Sequence, residues 1–310
     1  MTTVLFAALP DRWPEYEGPL KAAFAAAGLS NVDLVTEAEP SCVDYIIYAP
    51  NSLVTDFTPF TRLKAVMNLW AGVEDVVGNP TLKVPFTRMV DEGLTEGMVE
   101  WCVGHVMRHH LEMDRHIHGQ DGVWRGGIIP PLARERTVAV LGLGELGAEL
   151  CQALVPLNFK VRGWSRRPKD IESVACFAGD DLEQALDGAD IVVLLLPDTP
   201  ATENVLNAQR IAQLAKGAVA INPGRGTLID DNALIAALDS GHLSHATLDV
   251  FRTEPLPPEH PFWSHPKVTV TPHIASETRP DSATRVIAEN IRRCEMGEPL
   301  LHLVDRLAGY

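Results

Sequence analysis

Short apolar runs alternate with amphipathic stretches along most of the chain. The apolar runs are about four to six residues long and rich in Val, Ile and Leu, a composition that favours strands buried on both faces. The stretches between them carry apolar residues at helical spacing, which favours crossover helices. The alternation predicts an α/β fold with two doubly wound parallel-sheet domains.

The pattern predicts particular elements. The first third carries strands at Val4–Leu9, Val32–Val35, Tyr45–Tyr48, Ala65–Leu69 and Val84–Arg88. Helical patterns lie at Tyr16–Ala27, Phe57–Arg62, Thr95 to about His118, Glu145–Leu157 and Pro280–Glu295. Seven further strands are predicted. The first begins at Thr137, and the others lie at Lys160–Trp164, Ser173–Phe177, Ile191–Leu196, Ala218–Asn222, Ala246–Val250 and Val268–Thr271.

A glycine pattern follows the strand that begins at Thr137. Gly142 permits a tight turn, Gly144 lets the backbone approach a pyrophosphate, and Gly147 lets helix and strand pack closely. The helix then begins with Glu145 and Leu146, and its first N–H groups can receive phosphate oxygens. Glycine turns also serve purely structural roles, so the pattern alone leaves both interpretations open.

The next strand ends at Ser165, where dinucleotide-binding domains commonly place an acidic residue for the ribose 2′-hydroxyl. Arg166 and Arg167 follow directly. Two guanidinium groups would bind a 2′-phosphate with charge-assisted hydrogen bonds, whereas a carboxylate would repel it. The predicted cofactor is therefore NADP(H); the alternative is a solvated surface pair.

Composition narrows the class of partner. The 310 residues carry a net charge of −15, which argues against nucleic acid. The longest apolar run, Ile191–Leu196, is too short to span a bilayer, so no membrane association is expected. The first ten residues lack a basic leader, and the five cysteines form no CxxC pair. These features predict a cytoplasmic protein.

Polar residues follow several strand ends, where ligands bind in such sheets. Arg225 could clamp a carboxylate and polarise a carbonyl, and His273 could donate a proton near neutral pH. Glu254 would favour the charged form of that histidine. Each alone would more commonly be a loop arginine, a surface glutamate or a capping histidine.

Together these residues resemble the D-isomer-specific 2-hydroxyacid dehydrogenases, and within them the NADPH-preferring glyoxylate/hydroxypyruvate reductases of bacteria. The resemblance is most specific in residues 248–257, 261–266 and 271–280. It implies that Arg225, Glu254 and His273 are catalytic. It also implies cofactor contacts, which together with the glycine and arginine positions give Gly142, Gly144, Glu145, Leu146, Gly147, Ser165, Arg166, Arg167, Leu196, Pro197, Thr199, Pro223, Gly224 and Asp249.

The resemblance further implies a substrate-binding loop, Trp70, Ala71 and Gly72, acting with Arg225 and His273 on a small 2-keto acid. Glyoxylate and hydroxypyruvate are expected, and pyruvate or another keto acid stays open. A flavodoxin-like substrate domain would comprise residues 1–96 and 276–310, and a Rossmann domain residues 97–275. The long helix would pack against a second subunit, which predicts a homodimer.

Two other hypotheses remain. His105 and His109 lie one helical turn apart and could share a metal ion, with His110, His116 and His118 nearby. A solvated or interface face is favoured, and no metal is expected. The fold also allows a nucleotide-sensing scaffold without turnover, although the presence of Arg225, Glu254 and His273 together favours the enzyme.

Overall fold

The computed structural model describes residues 1–127 and 129–309. The strands are β1 Thr2–Ala7, β2 Val32–Val35, β3 Tyr45–Tyr48, β4 Ala65–Asn68, β5 Phe86–Thr87, β6 Thr137–Leu141, β7 Lys160–Ser165, β8 Ala175–Ala178, β9 Ile191–Leu194, β10 Ala218–Asn222, β11 Leu243–Leu248 and β12 Val268–Val270. The helices are α1 Trp13–Ala26, α2 Glu74–Val77, α3 Glu92–His110, α4 Met113–Ile117, α5 Glu145–Leu154, α6 Leu182–Leu186, α7 Ala208–Ile211, α8 Asp231–Asp239 and α9 Pro280–Met296.

The chain forms two compact units. The first comprises residues 1–94 and 277–310, and the second comprises residues 95–276. The predicted domain boundaries, 96/97 and 275/276, lie within a few residues of these divisions. The first unit is therefore discontinuous in sequence, because the second is inserted into it.

The first unit contains a five-stranded parallel sheet in the order β2-β1-β3-β4-β5. Successive residues of β1 enter different cores: Val4 and Phe6 pack with α1 and α9, whereas Leu5 and Ala7 pack on the opposite face. Helix α9 belongs to this unit because its buried side chains, such as Ile287 and Ile291, complete the core under α1.

The second unit contains a seven-stranded parallel sheet in the order β12-β11-β10-β9-β6-β7-β8. Val138 and Val140 of β6 face a core with α3 and α5, whereas Ala139 and Leu141 face a core with α6, α7 and α8. Helices thus cover both faces, and the strand order reverses direction at β6 and β9. The predicted fold class is confirmed.

One predicted helix is wrong. Residues 57–62 form successive turns instead, in which Phe60 N–H donates to the Phe57 carbonyl and Leu63 N–H to the Phe60 carbonyl. Thr58 N–H is taken by the Asp56 carboxylate at 2.9 Å, and Pro59 has no N–H to donate. Side-chain competition for backbone donors therefore outweighs the apolar spacing.

The long helix predicted from Thr95 to about His118 is also interrupted. Helix α3 ends at His110, and α4 begins at Met113. Glu112 between them has φ +51°, in the left-handed region, which ends the regular hydrogen-bond pattern. Other boundaries shift by a few residues: the helix predicted at Glu145–Leu157 becomes 3₁₀ from Val155.

No helix in the described part of the chain is both long and apolar enough to span a bilayer.

Candidate active site

The turn after β6 requires glycine at two of its three pattern positions. Gly142 has φ +107°, and a Cβ there would collide with the carbonyl of Leu195. A Cβ at Gly147 would collide with the carbonyl oxygen of Gly142. Both glycines are therefore needed for the protein to close the turn and seat α5 against the sheet.

Gly144 differs, since a Cβ there would meet no described atom within 4 Å. It is the N-cap of α5, and no side chain of the described residues caps that end. An open surface beside the first N–H groups of a helix fits a pyrophosphate, which would use the donors and the space together. The loop therefore fits a dinucleotide.

Ser165 ends β7, and Arg166 and Arg167 follow it on the surface. The Ser165 hydroxyl donates to the Arg167 carbonyl at 2.7 Å, which fixes the turn that carries both arginines. The guanidinium groups thus lie in the loop directly after the second strand of the fingerprint unit, the position from which such domains contact the ribose of a bound dinucleotide.

Arg225 lies in the loop after β10. Asn222 shapes this loop from the end of the strand: its amide donates to the Arg225 carbonyl at 2.8 Å and its oxygen accepts from Gly224 N–H at 3.1 Å. Pro223 and Gly224 are buried, and a Cβ at Gly224 would lie 2.8 Å from the Leu194 carbonyl oxygen. The loop is therefore closely packed, and Arg225 is half-buried at its end.

His273 and Glu254 form a hydrogen-bonded pair. His273 Nδ1 lies 2.7 Å from Glu254 Oε2, and the other carboxylate oxygen accepts from Phe251 N–H at 2.8 Å. An ionised carboxylate can only accept, so His273 carries a proton on Nδ1. Its Nε2 atom is then the one left for a substrate, and the side chain is 51% exposed.

The pairing shifts the pKa of each group so that the charged forms of both His273 and Glu254 are favoured. The hydrogen bond to Glu254 raises the pKa of His273, against burial and the positive charge of Arg225. Burial would raise the pKa of Glu254, but the hydrogen bonds from His273 and Phe251 N–H outweigh it and lower that pKa. An imidazolium beside a carboxylate and a guanidinium can protonate an oxygen that becomes negative during a reaction.

Asp249 holds the histidine loop from the end of β11. Its carboxylate is fully buried and accepts from the Thr271 hydroxyl at 2.6 Å, from Ile274 N–H at 2.9 Å and from Ala275 N–H at 2.9 Å. The His273 N–H donates to the Asp249 carbonyl at 2.8 Å. His273 itself has φ +55°, a left-handed conformation that this surrounding network maintains.

The remaining predicted cofactor positions follow β9. Leu196 is buried and Pro197 half-buried, and the Thr202 hydroxyl donates to the Pro197 carbonyl at 2.7 Å. The Thr199 and Thr202 hydroxyls lie 2.9 Å apart. These contacts fold residues 197–202 into a compact turn at the carboxyl end of the strand.

The loop Trp70–Gly72 belongs to the first unit and follows β4. Asn68 at the end of that strand donates to the carbonyls of Trp70 at 2.9 Å and Gly72 at 2.8 Å. Trp70 also accepts from Met89 N–H at 2.9 Å, and its side chain is 40% exposed. One buried amide therefore sets the shape of the whole loop.

Arg252 was missed by the sequence analysis. Its guanidinium donates to the carbonyls of Thr227 at 3.2 Å and Ile229 at 2.7 Å, and to the Asn204 side chain. Gly226 lies in the same contact, because a Cβ there would collide with Phe251. Together they join the Arg225 loop to the Glu254 loop. Only the position of Arg252 inside the segment 248–257 pointed to it.

Comparison with known proteins finds similar sequences and structures. Residues 101–275 match the family described as D-isomer specific 2-hydroxyacid dehydrogenase, NAD binding domain. Over 258 residues the chain is 42% identical to glyoxylate/hydroxypyruvate reductase A of Serratia proteamaculans, which covers 80% of this chain and 82% of that protein.

Two solved structures are similar over the whole length. A D-isomer specific 2-hydroxyacid dehydrogenase of Xanthobacter autotrophicus Py2, in complex with NADPH and MES, is 40% identical with a TM-score of 0.92, covering 100% of this chain and 99% of the other. NADPH-dependent glyoxylate/hydroxypyruvate reductase of Sinorhizobium meliloti, in complex with NADP and sulfate, is 34% identical with a TM-score of 0.88, covering 100% of both.

The fold and the strand-end site define a two-domain, dinucleotide-binding oxidoreductase of the α/β class. More specifically, the chain belongs to the D-isomer specific 2-hydroxyacid dehydrogenase family. The resemblance stated from sequence is thereby confirmed, and the family argues against a scaffold without turnover.

Proposed function

We propose that the protein reduces small 2-keto acids with NADPH, converting glyoxylate to glycolate and hydroxypyruvate to D-glycerate. The observation that carries this proposal is the 2.7 Å pair of His273 Nδ1 and Glu254 Oε2, with the Arg225 charge close enough to act on both groups. The reductases named above in Serratia proteamaculans and Sinorhizobium meliloti support the same substrate class.

NADP(H) is the proposed cofactor. Gly144 and the N–H groups of Glu145 and Leu146 would bind its pyrophosphate, and Ser165, Arg166 and Arg167 its 2′-phosphate. When bound, the reduced cofactor supplies the hydride. Its other proposed contacts are Gly142, Gly147, Leu196, Pro197, Thr199, Pro223, Gly224 and Asp249.

His273 is the proposed proton donor. The reacting carbonyl oxygen would receive the proton on Nε2 while the keto carbon gains the hydride, so that a hydroxy acid and the oxidised cofactor result. Glu254 keeps the imidazole protonated and fixes its orientation through Nδ1. Arg225 would bind the substrate carboxylate and stabilise the negative charge that develops on the carbonyl oxygen.

The N–H groups of Ala71 and Gly72 would also donate hydrogen bonds to the substrate carboxylate. The side chain of Trp70 would restrict the size of the substrate. The support is the resemblance together with the loop shape that Asn68 imposes. We accordingly propose residues 1–96 with 276–310 as the substrate-binding domain and residues 97–275 as the NADP-binding domain.

The test is oxidation of NADPH and NADH, followed by absorbance, with glyoxylate, hydroxypyruvate and pyruvate as substrates. We expect kcat/KM to be highest with NADPH and either glyoxylate or hydroxypyruvate. We expect a His273→Gln variant to lose the reaction. A preference for pyruvate would assign the protein to another keto acid of the same class, and absence of turnover on all three would refute the proposal.

We also propose a cytoplasmic homodimer. The five cysteines are free thiols, as expected in a reducing compartment. Large apolar side chains after α4 are exposed, including Trp124 at 96% and Val123 at 62%, and exposed patches of this kind commonly mark subunit interfaces. Light scattering should give twice the 33.8 kDa chain mass, and Trp124→Ser should shift the equilibrium to monomer.

A further inference from the structure

Three metal-ligating side chains meet in the second unit, away from the strand ends that carry the proposed chemistry. His109 lies near the end of α3, Asp114 in α4 and His245 in β11. Each offers one ligand atom, and these atoms all lie within 4.8 Å of one another. All three residues are half-buried. Two imidazoles and a carboxylate form a donor set typical of zinc and other first-row divalent ions.

The second contacts of the imidazoles also fit a metal site. His109 Nε2 lies 2.8 Å from the Thr247 hydroxyl, and His245 Nε2 lies 2.9 Å from the Thr269 hydroxyl. A histidine ligand commonly donates its other ring N–H to an oxygen, which fixes the orientation of the ring. Each Nδ1 is then the ligating atom.

The spacing of the rings is suitable as well. The centroids of the His109 and His245 rings lie 4.8 Å apart. Two imidazoles that bind one tetrahedral ion at about 2.0–2.1 Å place their ring centres roughly 5 Å apart. The side chains therefore need only small rotations to reach a common ion.

Arg108 is the unfavourable neighbour, because its Nε donates to Asp114 Oδ1 at 2.6 Å. The second carboxylate oxygen remains for an ion, and Arg108 is also held by the Thr269 hydroxyl at 2.9 Å. His118, whose Nε2 lies 3.9 Å from Asp114 Oδ1, or a water molecule would complete four ligands. We expect the adjacent positive charge to weaken the site without blocking it.

We propose that His109, His245 and Asp114 bind one divalent transition-metal ion, of the zinc or nickel class, that joins the α3–α4 corner to β11. The site uses none of the residues proposed for keto-acid reduction, so its role is structural. It also differs from the pair considered from sequence. His105 is one turn from His109, but its ring packs on Trp101 at 4.3 Å and lies 6.4 Å from the His109 ring.

The experiment uses the full chain without a histidine tag, treated with chelator, dialysed and titrated with Zn²⁺ or Ni²⁺ by calorimetry. We expect one ion per chain, and a rise in Tm on addition of the ion. His109→Gln and His245→Gln should each weaken binding by at least about tenfold and abolish the rise in Tm. His105→Gln, on the same helix face, is the matched control and should bind as the parent does.

Asp114→Asn gives a second variant on an accessible helix, with circular dichroism to establish folding, and bound Co²⁺ reports the ligands by its visible absorption. A cobalt spectrum that changes in Asp114→Asn and His245→Gln supports the site. Absence of binding by the parent, retention of binding in a folded His245→Gln variant, or its loss in His105→Gln would overturn the proposal.

Discussion

The two halves of the seven-stranded sheet end in different ways. At the ends of β10 and β11, buried polar side chains, Asn222 and Asp249, hold the loops that carry Arg225 and His273. At the ends of β6 and β7 the corresponding positions carry glycines and surface arginines, and Gly144 leaves its surface open. The loops after β10 and β11 thus hold their side chains in fixed positions, whereas the loops after β6 and β7 leave space and positive charge for a ligand.

The difference fits the two roles that we propose for one sheet, proton transfer and cofactor binding. Groups that transfer a proton must be oriented before the reaction, so their loops need internal hydrogen bonds. Groups that bind a large anion must remain accessible to it. Substitutions in the two halves should therefore affect different measurements.

The largest effect is expected at the proposed proton donor, His273. His273→Gln removes the acidic hydrogen while Gln can still accept or donate at Glu254, and we expect kcat/KM for glyoxylate or hydroxypyruvate to fall by roughly 10²–10⁴-fold. NADPH affinity, measured by fluorescence titration, should change little. His242→Gln in the same unit is the control. Retention of full turnover would remove His273 from the mechanism.

The second-largest effect is expected at Asp249, which holds the loop that carries His273. Asp249→Ala removes the acceptor of the Ile274 and Ala275 N–H groups and leaves that of the buried Ala275 unpaired, and we expect a loss of about 3 kcal/mol in the free energy of unfolding. Asp249→Asn should retain more stability but lower kcat. Denaturant titration of both Asp249 variants measures this loss. The exposed Arg167→Ala variant is the comparison from the other half of the sheet, and its free energy of unfolding should equal that of the parent.

The arginine loop should control cofactor choice alone. Replacing Arg166 and Arg167 by Gln removes charge-assisted hydrogen bonds to a 2′-phosphate, and we expect KM for NADPH to rise about 10–100-fold with no matching change for NADH. Arg162→Gln, on the strand that precedes the arginine loop, is the control. An equal change for both cofactors would mean that the arginines do not bind the 2′-phosphate.

The glycines should separate folding from binding. Gly142→Ala forces a Cβ into the Leu195 carbonyl at positive φ and should lower stability by about 1–3 kcal/mol. Gly144→Ala meets no described atom, so its stability should be unchanged while NADPH binding weakens, by roughly tenfold. Thermal unfolding and cofactor titration of the two variants give the comparison; loss of stability in both would make Gly144 structural.

The smallest effect is a shift in pH dependence. The carboxylate raises the pKa of His273, so the protonated donor persists to higher pH and reduction falls as pH rises through that pKa. Glu254→Gln removes the cause, and the alkaline limb of the kcat/KM profile should move to lower pH. A limb that stays in place would mean that Glu254 does not set the protonation of His273.

Sequence patterns located the glycines, the arginine pair and the candidate catalytic residues because each lies within a short segment at a strand end. They could not show that Asp249 binds the backbone around His273, since that contact depends on how two loops meet in space. The same limit applies to His109 and His245, which are adjacent only because α3 packs on the sheet beside β11. The helix prediction for Phe57–Arg62 was wrong for a local reason, because an Asx turn and a proline compete with the helix.

The discontinuous first unit has a consequence for synthesis of the chain. Its core joins α1 to Ile287 and Ile291 of α9, so residues 1–94 cannot complete their core when they leave the ribosome. Residues 95–276 must be translated first, which takes on the order of 10–40 s at ordinary rates. The inserted unit can therefore fold before the unit that precedes it. During that interval the nascent N-terminal segment exposes the apolar surface that α9 later covers, and exposed surface of this kind is prone to aggregate.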